Sequence, residues 1–201
     1  MQENIKAFIT ESIVTKEDLL KAPDVLLSIQ KAAEIIIDAL ESGKKVLVFG
    51  NGGSAADAQH FAAEFVNRFK INRSPLPFIA LTTDTSVLTS IANDFGYDYV
   101  FSKQVEALGQ KGDIAIAITT SDIESKPGGH SANIANALDS AKKKGLTTIG
   151  LVSEKSQKIL EWLDVAIKIP SKNTPRIQES HMLVIHIISE IVEETLYGKV
   201  S

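Results

Sequence analysis

From Val46 onward, apolar runs of strand length alternate with stretches of helical spacing. The strand candidates are 46–49 (VLVF), 78–81 (FIAL), 114–118 (IAIAI), 147–151 (TTIGL) and 165–169 (VAIKI). They are apolar almost throughout, which suits parallel strands buried on both faces. Helical spacing marks 55–69, 86–94, 98–108, 132–144, 156–163 and 175–197. The alternation predicts an α/β fold with a parallel sheet covered on both sides. Two further helices, 2–14 and 16–42, precede it. In the second, Leu19, Leu26, Ile29, Ala33, Ile36 and Leu40 belong to an apolar stripe wider than one small sheet needs, and Gly43 suits its end. Two such helices ahead of the α/β pattern predict packing between subunits. No repeat or linker divides the chain, so 1–201 reads as one domain, with N-terminal helices over 1–42 and an α/β core over 43–201.

In open parallel sheets, ligands bind beyond the carboxyl ends of the strands. The first strand is followed by Gly50-Asn51-Gly52-Gly53-Ser54 and then an alanine-rich helix that Ser54 is placed to cap. A loop of small residues lets the backbone approach a ligand, and the helix start offers N–H groups and the positive dipole end to an anion. The second strand runs into Thr82-Thr83-Asp84-Thr85-Ser86, and the third into Thr119-Thr120-Ser121, with Ser131 opening another helix. Hydroxyl-rich turns are ordinarily helix caps. Three of them at one sheet edge favour a phosphate site.

Charge and composition narrow the field. The net charge is −4 with scattered Lys and Arg, unlike the basic stripe of a direct nucleic-acid binder. Cysteine is absent, which removes disulfides and thiolate chemistry and suits a reducing cytoplasm. Charges run through Met1–Thr15, so no secretion signal is read, and no apolar run reaches the ~20 residues of a membrane span.

His60 and Glu64 are four apart on the helix that follows the Gly-rich loop. That spacing puts them on one face, where they can hold a divalent metal or act as an acid–base pair. Alone the pair would more often be a satisfied histidine and a solvated acid; the adjoining anion cradle tips the reading toward chemistry. Asn93-Asp94 suits either a helix end or hydrogen bonds to substrate hydroxyls. The last helix opens with Pro175 and carries Gln178 and His186. Their backbones lie roughly 12 Å apart along the axis, so both reach one metal only from extended side chains or across subunits.

The blocks GNGGSAADAQHFAAEF, ALTTDTSVLTSIANDFGYD, QVEALGQKGD and TPRIQESHMLVIH resemble the phosphoheptose isomerases, proteins of the sugar-isomerase (SIS) domain class, over nearly the whole chain. The resemblance implies a three-layer sandwich with a five-stranded parallel sheet, and a homotetramer with sites near subunit interfaces. It implies conversion of sedoheptulose 7-phosphate to D-glycero-D-manno-heptose 7-phosphate through an enediol, early in heptose and lipopolysaccharide precursor synthesis. Carried onto this chain, the metal ligands are His60, Glu64, Gln178 and His186, commonly with zinc, and Glu64 and His186 form the acid–base pair. Substrate contacts fall to Asn51, Gly52, Gly53, Ser54, Glu64, Asn93, Asp94, Thr119, Thr120, Ser121, Ser131 and Gln178.

Two features depart from that pattern. Where the family reads Ser-Thr-Ser-Gly-Asn-Ser, this chain has Thr119-Thr120-Ser121, then nine residues (122–130), then Ser131. The nine include Asp122 and Glu124, which repel phosphate unless the loop swings outward, and Gly128-Gly129, which suit a lid; a changed substrate and a degraded site are the other readings of the insertion. The opening MQENIKAFITESI also resembles the DnaA initiator-associating protein, a non-enzymatic SIS homotetramer. A regulator that binds DnaA is therefore the alternative reading, and a sugar-phosphate-binding module a further one.

Overall fold

The computed structural model describes residues 1–124, 126 and 128–198. Ser125 and Pro127 of the nine-residue stretch lie outside the described residues, as do 199–201. Five strands form one parallel sheet: β1 (Val46–Gly50), β2 (Phe78–Ala80), β3 (Ile114–Ile118), β4 (Thr147–Ser153) and β5 (Val165–Ile169), in the order β2-β1-β3-β4-β5. Val46 pairs with Phe78 on one side and Ile114 on the other. Alternate side chains point to opposite faces, so one apolar run feeds two cores. Val46, Val48, Ile114, Ile116, Ile149 and Ile167 pack beneath α2 (Pro23–Glu41), α3 (Gly53–Val66) and α7 (Thr174–Tyr197). Leu47, Phe49, Ala115 and Ala117 face α4 (Thr85–Asp94), α5 (Ser102–Leu108) and α6 (Ala132–Lys143). This is the three-layer sandwich the sequence predicts.

Several boundaries differ from the sequence reading. The first helix, α1, runs over Gln2–Leu20, past the predicted break near residue 15. The break falls at Ala22, held extended because Pro23 opens α2. The 98–108 segment splits into a 3-10 turn at Tyr97–Tyr99 and α5. The 156–163 segment is only a 3-10 turn, Lys158–Trp162. On α1, Ile5, Phe8, Ile9 and Ile13 stay exposed. Among the described residues, no helix is long and apolar enough to cross a membrane.

His181 on α7 is fully buried and its Nε2 bonds the Val152 carbonyl oxygen, while Nδ1 has no partner. Burial pushes its pKa down from 6.5 to about 4, against the opposing effect of the Val152 bond. The unfolded chain binds this proton below pH 6.5 and the folded chain does not until about 4. Stability is therefore complete above pH 6.5 and declines as pH falls toward 4, by up to about 3 kcal/mol from this group. Asp57, with a raised pKa, opposes part of that loss near its lower end. Urea midpoints of metal-free protein between pH 7.5 and 4.5 check this: the midpoint falls in the wild type and flattens in His181→Gln.

Candidate active site

Sheet order reverses between β1 and β3, since β1 leads outward to β2 and β3 leads the other way to β4. The crevice beyond their carboxyl ends is where such folds take ligands. Here it is flanked by the first turns of α3 on one face and α6 on the other. Asn51 and Asn133 close over it with paired side-chain bonds: Asn51 Nδ2 donates to Asn133 Oδ1 at 3.0 Å, and Asn133 Nδ2 donates to Asn51 Oδ1 at 2.8 Å. Sequence reasoning missed Asn133, whose only signal was its place two residues after Ser131.

The start of α3 is set by Gly52 at φ 57°, not by a Ser54 cap. Such a φ is strained for any residue with a side chain. Ser54 lies within the first turn, buried. Gly53 leaves room for α7: a Cβ there would stand 2.2 Å from Gln178 Nε2. Thr119 Oγ1 accepts from Ser121 N and donates to Ser121 O, folding 119–121 into a tight hydroxyl turn. Ser131 caps α6 at φ 56° without using its hydroxyl as a cap.

The insertion does not point its first acid at this edge. Asp122 accepts from Lys158 N and Ile159 N, capping the 3-10 turn that follows β4. Burial alone would raise its pKa, but those backbone donors outweigh it and hold the carboxyl low. Ile123 is buried in the α5–α6 core, and Gly128 N donates to Asp98. Glu124 pairs with Lys126. Among the described residues of the loop, both acids are thus already paired, Asp122 with backbone N–H groups and Glu124 with Lys126.

Farther along α3, the chemistry converges. His60 Nε2 stands 2.9 Å from Glu64 Oε1 and 2.9 Å from His186 Nε2. The three groups form a set with ligand atoms within 4.8 Å of one another, all half-buried. Phe69 stacks on the His186 ring from behind, centroids 6.0 Å apart. α3 and α7 run side by side, so that Gly53 and Asp57 meet Gln178 while His60 and Glu64 meet His186. Gln178 therefore sits beside the helix starts rather than within the three-group set. Its Nε2 is 3.5 Å from Asp57 Oδ1. Asp57 is buried with Oδ2 unpartnered, and burial raises its pKa although Gln178 and His60 pull it down. Its signal was present: Gly53, Asp57, His60 and Glu64 recur at helical spacing on one stripe.

Asn93 and Asp94 are not brought to this set within the chain. They lie on the exposed last turn of α4, bonded to each other, roughly 14 Å along the helix axis from its start beside β2.

The donors suit a tetrahedral divalent metal. Two imidazole nitrogens and a carboxylate oxygen are the types zinc takes. Around zinc such atoms stand about 3.3 Å apart, a few tenths of an ångström wider than the 2.9 Å seen here.

Comparison with known proteins identifies the family and the fold. A family model described as "SIS domain" matches residues 13–153. The chain is 47% identical over 197 residues to a phosphoheptose isomerase of Aneurinibacillus thermoaerophilus, covering 98% of this chain and 96% of that protein. The solved phosphoheptose isomerase of Neisseria gonorrhoeae superposes with a TM-score of 0.86 at 41% identity, over 96% of this chain and 98% of that one. That of Francisella tularensis gives 0.88 at 35% identity over the same shares.

Proposed function

The chain belongs to the phosphoheptose isomerase family of SIS-domain proteins, and from that premise we propose that it interconverts sedoheptulose 7-phosphate and D-glycero-D-manno-heptose 7-phosphate. The observation that carries the reading is the meeting of His60 and Glu64, on the helix whose first turn adjoins the β1/β3 crevice, with His186 of α7. The spacing also fits the substrate. An extended seven-carbon chain with its terminal phosphate is about 10 Å long, and helix from Gly53 to His60 rises about 10 Å. With phosphate held at the turns of Gly52–Ser54, Thr119–Ser121 and Ser131, the carbonyl end reaches the His60–Glu64–His186 set.

There Glu64 takes a proton from C1 of the ketose and returns it to C2, passing through the enediol. His186 moves the accompanying proton between the C2 and C1 oxygens. Atoms balance without a co-reactant, because only the two protons change place. Asn51, Asn93, Asp94 and Gln178 bind the hydroxyls between. His60, Glu64 and His186 would hold zinc, and Gln178, which stands beside Asp57 within the chain, would join them as the fourth ligand by swinging along α7 or from a neighbouring subunit. The chemistry such a metal would supply there is polarisation of the carbonyl and stabilisation of the developing oxyanion. Binding energy from the remote phosphate orients the reacting carbons.

Asn93 and Asp94 reach a site only from a neighbouring subunit, and the exposed apolar face of α1 suits helix packing in a homotetramer. The enzyme would supply heptose precursors for lipopolysaccharide in the cytoplasm. The alternative reading, a regulator that binds DnaA, rests on the resemblance of the opening MQENIKAFITESI alone. A turnover assay on sedoheptulose 7-phosphate tests the proposal: the aldose should accumulate. A metal-loaded, folded protein that leaves the ketose unchanged and retains DnaA would reverse it.

A further inference from the structure

Away from the reacting groups, α3 and α7 are joined a second time. Arg73, on the loop between α3 and β2, is almost wholly buried together with Glu193 of α7, each side chain 2% exposed. Arg73 Nη2 donates to the Glu64 carbonyl oxygen at 2.8 Å, and Nη1 donates to the Phe65 carbonyl oxygen at 2.9 Å. These are carbonyls left open by the end of α3, where a cation also complements the helix dipole. Arg73 Nε donates to Glu193 Oε1 at 2.8 Å. The Glu193 carboxylate further accepts from Phe69 N, Lys70 N and Ile71 N at 3.2, 2.7 and 3.1 Å. Burial would raise the pKa of Glu193, but these donors and Arg73 outweigh it and keep the carboxyl low and ionised.

We propose that Arg73 and Glu193 are positioning residues that fix the geometry of Glu64 and His186. The geometry reaches both groups by separate routes. Arg73 grips the backbone of Glu64 itself. Glu193 lies seven residues beyond His186, two turns on and on the same helix face. It also holds the backbone of Phe69, whose ring backs His186. Neither residue belongs to the His60–Glu64–His186 set. A guanidinium is required, because Arg73 also donates from Nη1 to the Ser74 carbonyl oxygen at 3.1 Å, and three carbonyls with a carboxylate are more acceptors than the three N–H groups of an ammonium serve. Shifts of about 1 Å in reacting groups cost on the order of 10²-fold in rate.

The consequence for catalysis rests on the isomerase reading, and the test separates the two. Arg73→Lys keeps the charge and loses the fork; Glu193→Gln keeps the shape and loses the charge. In metal-free, histidine-labelled protein, nuclear magnetic resonance reports the ring nitrogens of His60, His186 and the buried His181 separately. Both variants should displace the His60 and His186 signals and leave His181 in place. At temperatures where they are folded, kcat should fall about 100-fold with KM within threefold, because the phosphate end of α3 is untouched. Unchanged His60 and His186 signals overturn the proposal. So does displacement of His181 along with them, which marks general loosening. If Arg73→Lys does not fold, Glu193→Gln decides. Failure of the wild type to turn over the sugar would defeat the isomerase reading and leave the resonance result standing.

Discussion

Glu64→Gln is expected to lower kcat for sedoheptulose 7-phosphate by about 10³-fold, within the range that positioned acid–base groups contribute. The substitution keeps shape and volume but removes the only carboxylate in the three-group set. An amide does not accept a proton from C1, so the step through the enediol loses its base. The phosphate end of the site lies at the opposite end of α3, so KM should stay within about threefold. The side chain is only part-buried, so the melting temperature should move little. Steady-state kinetics at saturating zinc, set beside a thermal melt, check both halves.

Metal removal is the second large effect. Chelation should reduce activity to below about 1% of its starting value, since carbonyl polarisation and oxyanion stabilisation are lost together. Zinc should restore it. His60→Ala should bind zinc far more weakly, because His60 Nε2 stands between the other two donors. The metal-free protein should also melt earlier, because a ligand that binds only the folded state stabilises it in proportion to ln(1 + [L]/Kd). Metal content by mass spectrometry, with activity and melting followed through removal and return, measures all three.

The sheet was readable because its strands are buried on both faces, which turns each into an unbroken apolar run such as IAIAI at 114–118. The His60–Glu64 pair was readable because helix periodicity alone sets its spacing. What escaped depended on contacts distant in sequence. Nothing near Arg73 announces a partner at Glu193, 120 residues on. The α1/α2 boundary was misplaced because the apolar stripe runs through Leu19 and Leu20, although Pro23 was the signal to follow. Ser54 looked like a cap because small hydroxyl residues usually are; the positive φ of Gly52 starts the helix earlier. The acids of the insertion threatened the phosphate site on charge alone. Only the fold turns Asp122 toward the backbone of Lys158.

Most direct of all is isotope transfer. Zinc-loaded protein incubated with sedoheptulose 7-phosphate in heavy water should yield the aldose heptose 7-phosphate bearing deuterium at C2, since the carboxylate of Glu64 exchanges its proton with solvent while the enediol persists. Glu64→Gln should give neither product nor label. Label entering at an undiminished rate in Glu64→Gln, or none in folded, zinc-loaded wild type, would contradict the placement of the chemistry where α3 meets α7.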